Sequence, residues 1–151
     1  MDNQAEPLTP GTPGAVQEAC SWRASVTNLR VVEAGDTVGY DAAWTAPRRT
    51  RVATVCVGYG DGLYYPLAEA GGPLLVGEQR ARLLATCMDQ CFVDVTDIPC
   101  RAGDEATFFG QSSGGAAMPI QELGKFMHVE GVYFYSFLSP RVARVYEGLE
   151  P

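Results

Sequence analysis

Residues 22–32, WRASVTNLRVV, set Trp22, Ala24 and Val26 on one side of the chain and Arg23, Ser25 and Thr27 on the other before the alternation shifts register. A period of two marks a half-buried strand. The next residues, EAGD (33–36) and TVGYDAAW (37–44), supply a Gly turn and a second β-rich run, a pattern that predicts a hairpin. RVATVCVGYG (51–60) is apolar almost without interruption, which predicts a strand buried on both faces. LLVGEQRARLLATC (74–87) reads as a further hairpin, and CFVDVT (91–96), EATFFG (105–110), GVYFYSF (131–137) and RVARVY (141–146) as more strands. One helix is predicted in MPIQELGKFM (118–127), with Pro119 suited to a first turn and Ile120, Leu123 and Phe126/Met127 at helical spacing. The predicted class is mainly β: a closed antiparallel, Greek-key-like β-barrel with one short helix plugging an end.

The tripeptide AGD occurs at 34–36 and again at 102–104, between β-rich flanks. Glycine supplies positive φ there and aspartate bonds back to the backbone, so the two copies predict the same turn chemistry twice. They are too short to make an internal repeat. The first 14 residues, rich in Pro, Gly and Thr, read as a flexible lead or linker, and 15–151 as a single β domain.

A chain of 151 residues buries about 68–70% of its unfolded surface and needs no metal or disulfide to fold. The net charge is −7 and the ten arginines are dispersed, which argues against nucleic acid or an acidic membrane as partner. Arg48, Arg49 and Arg51 flank a Pro-containing turn and read as solvated. Cys20, Cys56, Cys87, Cys91 and Cys100 form no C-x-x-C pair. They read as buried free thiols in a reducing compartment, with no metal site. The N-terminus has no apolar h-region, and no apolar run is long enough for a membrane span. The expected location is the cytoplasm.

Catalytic vocabulary is sparse. The lone histidine, His128, and the lone lysine, Lys125, lie on or beside the predicted helix and read as structural. GYGDG (58–62) resembles a phosphate loop but lacks the helix that would hold an anion, so a tight turn is the reading. What remains is two Gly-Tyr steps, Tyr40 and Tyr59, nineteen positions apart, and the polar interruption at Asp89-Gln90 within TCMDQC (86–91). The tyrosines read either as barrel residues with hydroxyls at the rim or as working phenols. The interruption reads either as a bulge or turn that satisfies loose amides, or as a device aiming N–H groups outward to grip a carboxylate. Nothing near Tyr40 in the sequence would lower its pKa from about 10, so any activating cation must come from another domain or chain.

Taken in order, VEAGDTVGYDAAW (32–44), TRVATVCVGYGDG (50–62), LLVGEQRARLLATCMDQCFVDVTDI (74–98), AGDEATFFG (102–110), a helix, and LSPRVARVY (138–146) resemble the C-terminal domain of alanine racemases over Trp22 to Tyr146. The resemblance implies an N-terminal (β/α)8 barrel that carries pyridoxal phosphate on a lysine. It also implies a head-to-tail homodimer in which this domain closes the partner's active site on a small amino acid. By that resemblance Tyr40 is the second catalytic base, Tyr59 lines the pocket, and Met88 offers its backbone N–H to the substrate carboxylate. Tyr65, Ala85 and Pro140 depart from the family pattern at positions usually Arg, Arg and an aromatic. The implied function is thus the β domain of an alanine or serine racemase, inactive alone because barrel and lysine are missing. The other reading is a stand-alone binding or dimerisation module with the same fold.

Overall fold

An eleven-residue strand, β1 (Trp22–Val32), organises the fold by pairing twice. In the computed structural model, which describes residues 18–147, its first half runs antiparallel to β8 (Glu105–Gln111) and its second half to β4 (Thr50–Val55). The change of partner coincides with a register shift at Val26/Asn28, where the alternation in the sequence also slips. The predicted lead at 1–14 lies outside the described residues.

The remaining ladder runs β4, β7 (Cys91–Asp94), β6 (Gln79–Thr86), β5 (Pro73–Val76), β8, with β9 (Ala117–Met118) added at β8. Since β8 pairs again with β1, the order of pairings returns to its first strand. A separate two-stranded ribbon joins β2 (Thr37–Val38) to β3 (Trp44–Thr45). The 33–44 region is therefore not a hairpin with β1 as the pattern predicted; β2 turns back onto β3 instead. The other predicted hairpin, β5–β6, is present.

Both AGD turns form as expected. Gly35 and Gly103 have φ of 92° and 94°, and Asp36 and Asp104 each accept the N–H three residues back, from Glu33 at 2.8 Å and Arg101 at 2.9 Å. The second turn also docks on β1 at the switch of partners, with Gly103 N–H on Val26 O and Val26 N–H on Asp104 O, both 2.8 Å.

β4 is buried on both faces because it lies between two apolar clusters. Ala53 and Val55 join Trp22, Leu83, Val93, Phe108, Phe109, Met118 and Leu123 on one side. Val52 joins Val32, Val38, Ala46, Leu84, Ala85, Cys87 and Phe92 on the other, with Trp44 packed over them. The second cluster is what holds the small ribbon, which has only two residues per strand, against the sheet. Each large apolar side chain buried this way is worth about 1.5–3 kcal/mol.

The single predicted helix is α2 (Ile120–Met127), begun by Pro119, and two more are present. α1 (Tyr65–Glu69) carries Pro66 in its first turn. α3 (Tyr133–Phe137) replaces the strand predicted from GVYFYSF. Its rings explain the difference: Phe134 and Phe137, three apart, both meet Tyr64, edge-on at 5.8 Å and stacked at 4.8 Å, and only a helix puts residues three apart on one side. Gly131 lets α3 approach α2, since a Cβ there would lie 2.7 Å from Ile120 O. The strand predicted at 141–146 is also absent. Arg144 folds its guanidinium back onto the carbonyls of Leu138, Ser139 and Val142, which curls the segment on itself and takes up the Val142 carbonyl that a strand would need for its ladder. Arg51 is no solvated turn residue either: it lies on β4 and donates to Ile98 O and Cys100 O, whereas exposed Arg48 and Arg49 meet Asp94 and Glu33.

Candidate active site

Three loops meet at one end of the β6–β7 hairpin. The hairpin closes as a tight turn, with Cys87 N–H donating to Gln90 O at 2.7 Å and the Thr86 hydroxyl reaching Cys87 O at 3.1 Å. The loop after β4 lies across it: Tyr59 N–H donates to Cys87 O at 3.0 Å and Gly60 N–H to Met88 O at 2.8 Å. Contact this close needs glycine. A Cβ on Gly58 would sit 2.2 Å from Cys87 O, and one on Gly39, at φ 88°, would sit 2.8 Å from the Ala85 Cβ. Each Gly-Tyr step is therefore a notch that seats a loop against residues 85–88 and leaves the following phenol outside.

Those phenols are open to solvent: Tyr40 is 60% exposed and Tyr59 39%, beside Met88 at 53%. Tyr65, at the start of α1, meets Tyr59 edge-on at 6.1 Å between ring centres. The carbonyls of Cys87 and Met88 both turn toward the 59–60 loop. In a trans peptide the N–H opposes the C=O, so the N–H groups of Met88 and Asp89 aim away from that loop, and they donate to no described residue. The polar interruption at Asp89-Gln90 is thus a tight turn that also presents unpaired amides.

The surroundings hold the Tyr40 phenol above the ordinary tyrosine value. The chief cause is repulsion between a phenolate and the Cys87 thiolate, followed by desolvation and then by Tyr59 and Asp89. Among the described residues no cation opposes this. A guanidinium does reach the Tyr59 loop: Arg141 lies 3.5 Å from Asp61 Oδ1 and has Nη1 3.0 Å from where a Cβ on Gly60 would be.

Asp61 and Arg141 were not singled out by sequence reasoning. Asp61 Oδ2 accepts Gly58 N–H at 3.0 Å and its carbonyl accepts Ser139 N–H at 3.0 Å. It thereby ties the Tyr59 loop to the C-terminal segment. The signal was present: Asp61 follows Gly58 by three, the spacing by which Asp36 and Asp104 close the two AGD turns. Lys125 and His128 are not in the cluster. They border a depression at the end of α2 with Gln121 and Glu130, and His128 closes that helix in the left-handed conformation. Among the described residues no three His, Cys, Asp or Glu are grouped to hold a metal, and all five cysteines are free thiols, of which Cys87, Cys91 and Cys100 are buried as expected whereas Cys20 is half-buried and Cys56, just past the end of β4, is exposed.

Residues 19–146 match the family model for the alanine racemase C-terminal domain. The chain belongs to this family. Among its relatives, the alanine racemase of Desulforamulus reducens is 34% identical over 135 residues, covering 88% of this chain and 35% of the relative. The biosynthetic alanine racemase of Pseudomonas aeruginosa is 38% identical over 133 residues, covering 87% and 36%. The crystal structure of that Pseudomonas enzyme superposes with a TM-score of 0.75 at 37% identity, covering 84% of this chain and 34% of that one. The alanine racemase from D-cycloserine-producing Streptomyces lavendulae gives 0.75 at 30% identity, covering 86% and 34%. This alanine racemase C-terminal domain therefore spans about a third of the length of the relatives it matches.

Proposed function

We propose that this domain forms one wall of an amino-acid racemase active site, completed by a barrel domain and its cofactor. In this reading the six-strand ring of pairings is a closed barrel whose one end carries the site. The observation that supports it is the convergence of Tyr40, Tyr59 and the unpaired Met88 N–H on one hairpin end. Tyr40 Oη takes or returns the proton at the substrate α-carbon. Met88 N–H donates to the substrate carboxylate, and the Tyr59 ring borders the bound amino acid and limits its size.

The residues present do not themselves hold pyridoxal phosphate. The cluster contains no lysine, the only one in the chain being Lys125 on α2, and it offers no cradle of amides and cations for a phosphate. Holding the cofactor falls to the (β/α)8 barrel, in a head-to-tail dimer with two active sites. When bound, pyridoxal phosphate supplies an electron sink for the pair left behind as the α-proton departs. The barrel must also supply positive charge, since among the described residues Cys87, Tyr59 and Asp89 all raise the Tyr40 pKa and a base needs the reverse. Exposure of the phenol allows that approach.

Mixing the chain with the separately expressed barrel domain of a relative and following L- and D-alanine, then L- and D-serine, tests the proposal. Interconversion is expected, and Tyr40→Phe should abolish it in both directions alike while leaving cofactor absorbance on the barrel unchanged. Racemisation that survives in Tyr40→Phe removes the base from position 40. The non-catalytic binding or dimerisation module keeps one observation in its favour, the Ala85, Tyr65 and Pro140 side chains in place of expected arginines and an aromatic. Association with the barrel without racemisation would select it.

A further inference from the structure

Tyr40 rides on a five-residue loop, 39–43, that is pinned at both ends. The outer pair Val38 and Trp44 is hydrogen-bonded across the ribbon; Val38 is fully buried and Trp44 packs on the second apolar cluster. Within the loop Gly39, Asp41 and Ala42 have φ of 88°, 52° and 56°. Glycine adopts such angles freely. Alanine does not, because its Cβ crowds the following carbonyl and it has no side-chain hydrogen bond to offset that. Two consecutive left-handed residues that are not glycine persist only where the surroundings leave no other course for the chain.

Those surroundings are identifiable. Gly39 is pressed against the Ala85 Cβ and cannot shift inward. Ala43 N–H closes the turn on Tyr40 O at 3.0 Å. The Val38–Trp44 pair fixes the span that the loop must bridge. The Tyr40 hydroxyl makes no hydrogen bond to a described residue, yet the ring lies within electrostatic reach of Cys87, Tyr59 and Asp89. The direction of its Cα–Cβ bond is set by the backbone that carries it, which Gly39 seats against Ala85.

We propose that the strained left-handed turn at Asp41–Ala42 is the device that holds Tyr40 at the end of the β6–β7 hairpin, on a loop seated against Ala85, which makes Ala42 a positioning residue for Tyr40. The inference rests on Tyr40 being the working group of the site, and it adds what places that group. It also accounts for an alanine, rather than glycine, at a left-handed position. Glycine would relieve the strain but would let the loop sample other paths and lose its hold on Tyr40.

The test uses the full 151-residue chain with 13C-labelled tyrosine, comparing the wild type with Ala42→Gly and Ala42→Asn, asparagine being a side chain that tolerates the left-handed region. Two readouts are taken: the thermal midpoint, and the titration and ring motion of Tyr40 by NMR. In Ala42→Gly the midpoint is expected to rise by about 1–4 °C, the Tyr40 titration to fall to the ordinary tyrosine value, and its ring motion to widen. In Ala42→Asn the midpoint should rise as well, with titration and ring motion kept. If the Tyr40 signals are unchanged in Ala42→Gly, the positioning role is overturned. If neither variant gains stability, the strain is. Both readouts come from this chain alone, so they hold or fail independently of whether racemisation by Tyr40 is observed.

Discussion

Gly58 lies against Met88 so closely that a Cβ on it would come 2.5 Å from the Met88 carbonyl carbon and oxygen. The neighbours are backbone atoms of a tight turn and have no rotamer to move into. Because φ at Gly58 is −135°, an ordinary extended value, the obstacle is contact rather than conformation. Gly58→Ala should cost about 1–3 kcal/mol, read as a shift in urea midpoint with unchanged m-value. The amides of Tyr59 and Gly60 should lose their exchange protection first. A variant with wild-type stability would show that the two loops are not in contact.

Asp61 lies under the same loop. Its carboxylate accepts Gly58 N–H and faces Arg141, and it is largely buried. Asp61→Ala leaves that N–H without a partner, at a cost of about 1–3 kcal/mol. Hydrogen exchange should quicken at Ser139, whose N–H rests on the Asp61 carbonyl, while Phe108 and Leu83 in the main core stay protected.

Trp44 joins the ribbon to the sheet through the second cluster. With two residues per strand, that ribbon has no stability of its own. Trp44→Ala is expected to expose 37–45 to limited proteolysis under native conditions, and to do so before any cleavage within β4 to β8.

Acid should weaken one surface link in a known direction. Glu122 is held below its ordinary value of 4.5, first by its hydrogen bond with Arg80, an effect desolvation opposes and the charges of Arg80 and Lys125 reinforce. A carboxyl lowered in the folded state stabilises above its unfolded pKa, and that contribution is lost as pH falls through the folded value. The pair is partly exposed, so its worth is a few tenths of a kcal/mol and is screened by salt. Denaturation of wild type and Glu122→Gln should differ by that amount at pH 7 and converge well below pH 4.5.

Thiol chemistry should follow exposure. Cys56 is exposed, whereas Cys91 is fully buried and desolvation, then Cys56 and Cys87, push its thiol far above the usual range. In native protein an alkylating reagent should modify Cys56 rapidly, with Cys91 untouched until denaturant is added, as mass spectrometry of the peptides would show.

What could be read from the sequence followed the range of the interactions. The AGD turns and the β5–β6 hairpin depend on residues close in the chain, the unbroken apolar run of β4 marked it as buried whatever covers it, and the alternation in 22–32 even marked where β1 slips. The site's two Gly-Tyr steps stood out because a glycine beside an aromatic is odd in a strand. Elements set by distant partners were not legible. GVYFYSF has strand composition, yet Tyr64, seventy residues earlier, takes its rings onto one helical side. The β2–β3 ribbon exists because a cluster built from four strands waits beneath it. Asp41 and Ala42 gave no sign, since nothing in their composition announces a left-handed backbone.

The two-partner strand has a consequence for how the molecule is made. Trp22 faces Phe109 while Val32 faces Thr50, so the opening strand cannot complete its pairing until synthesis has passed residue 109. Closing that long loop before any reward is collected slows the search. A nascent chain leaving the ribosome would hold one open strand edge until β8 had emerged behind it.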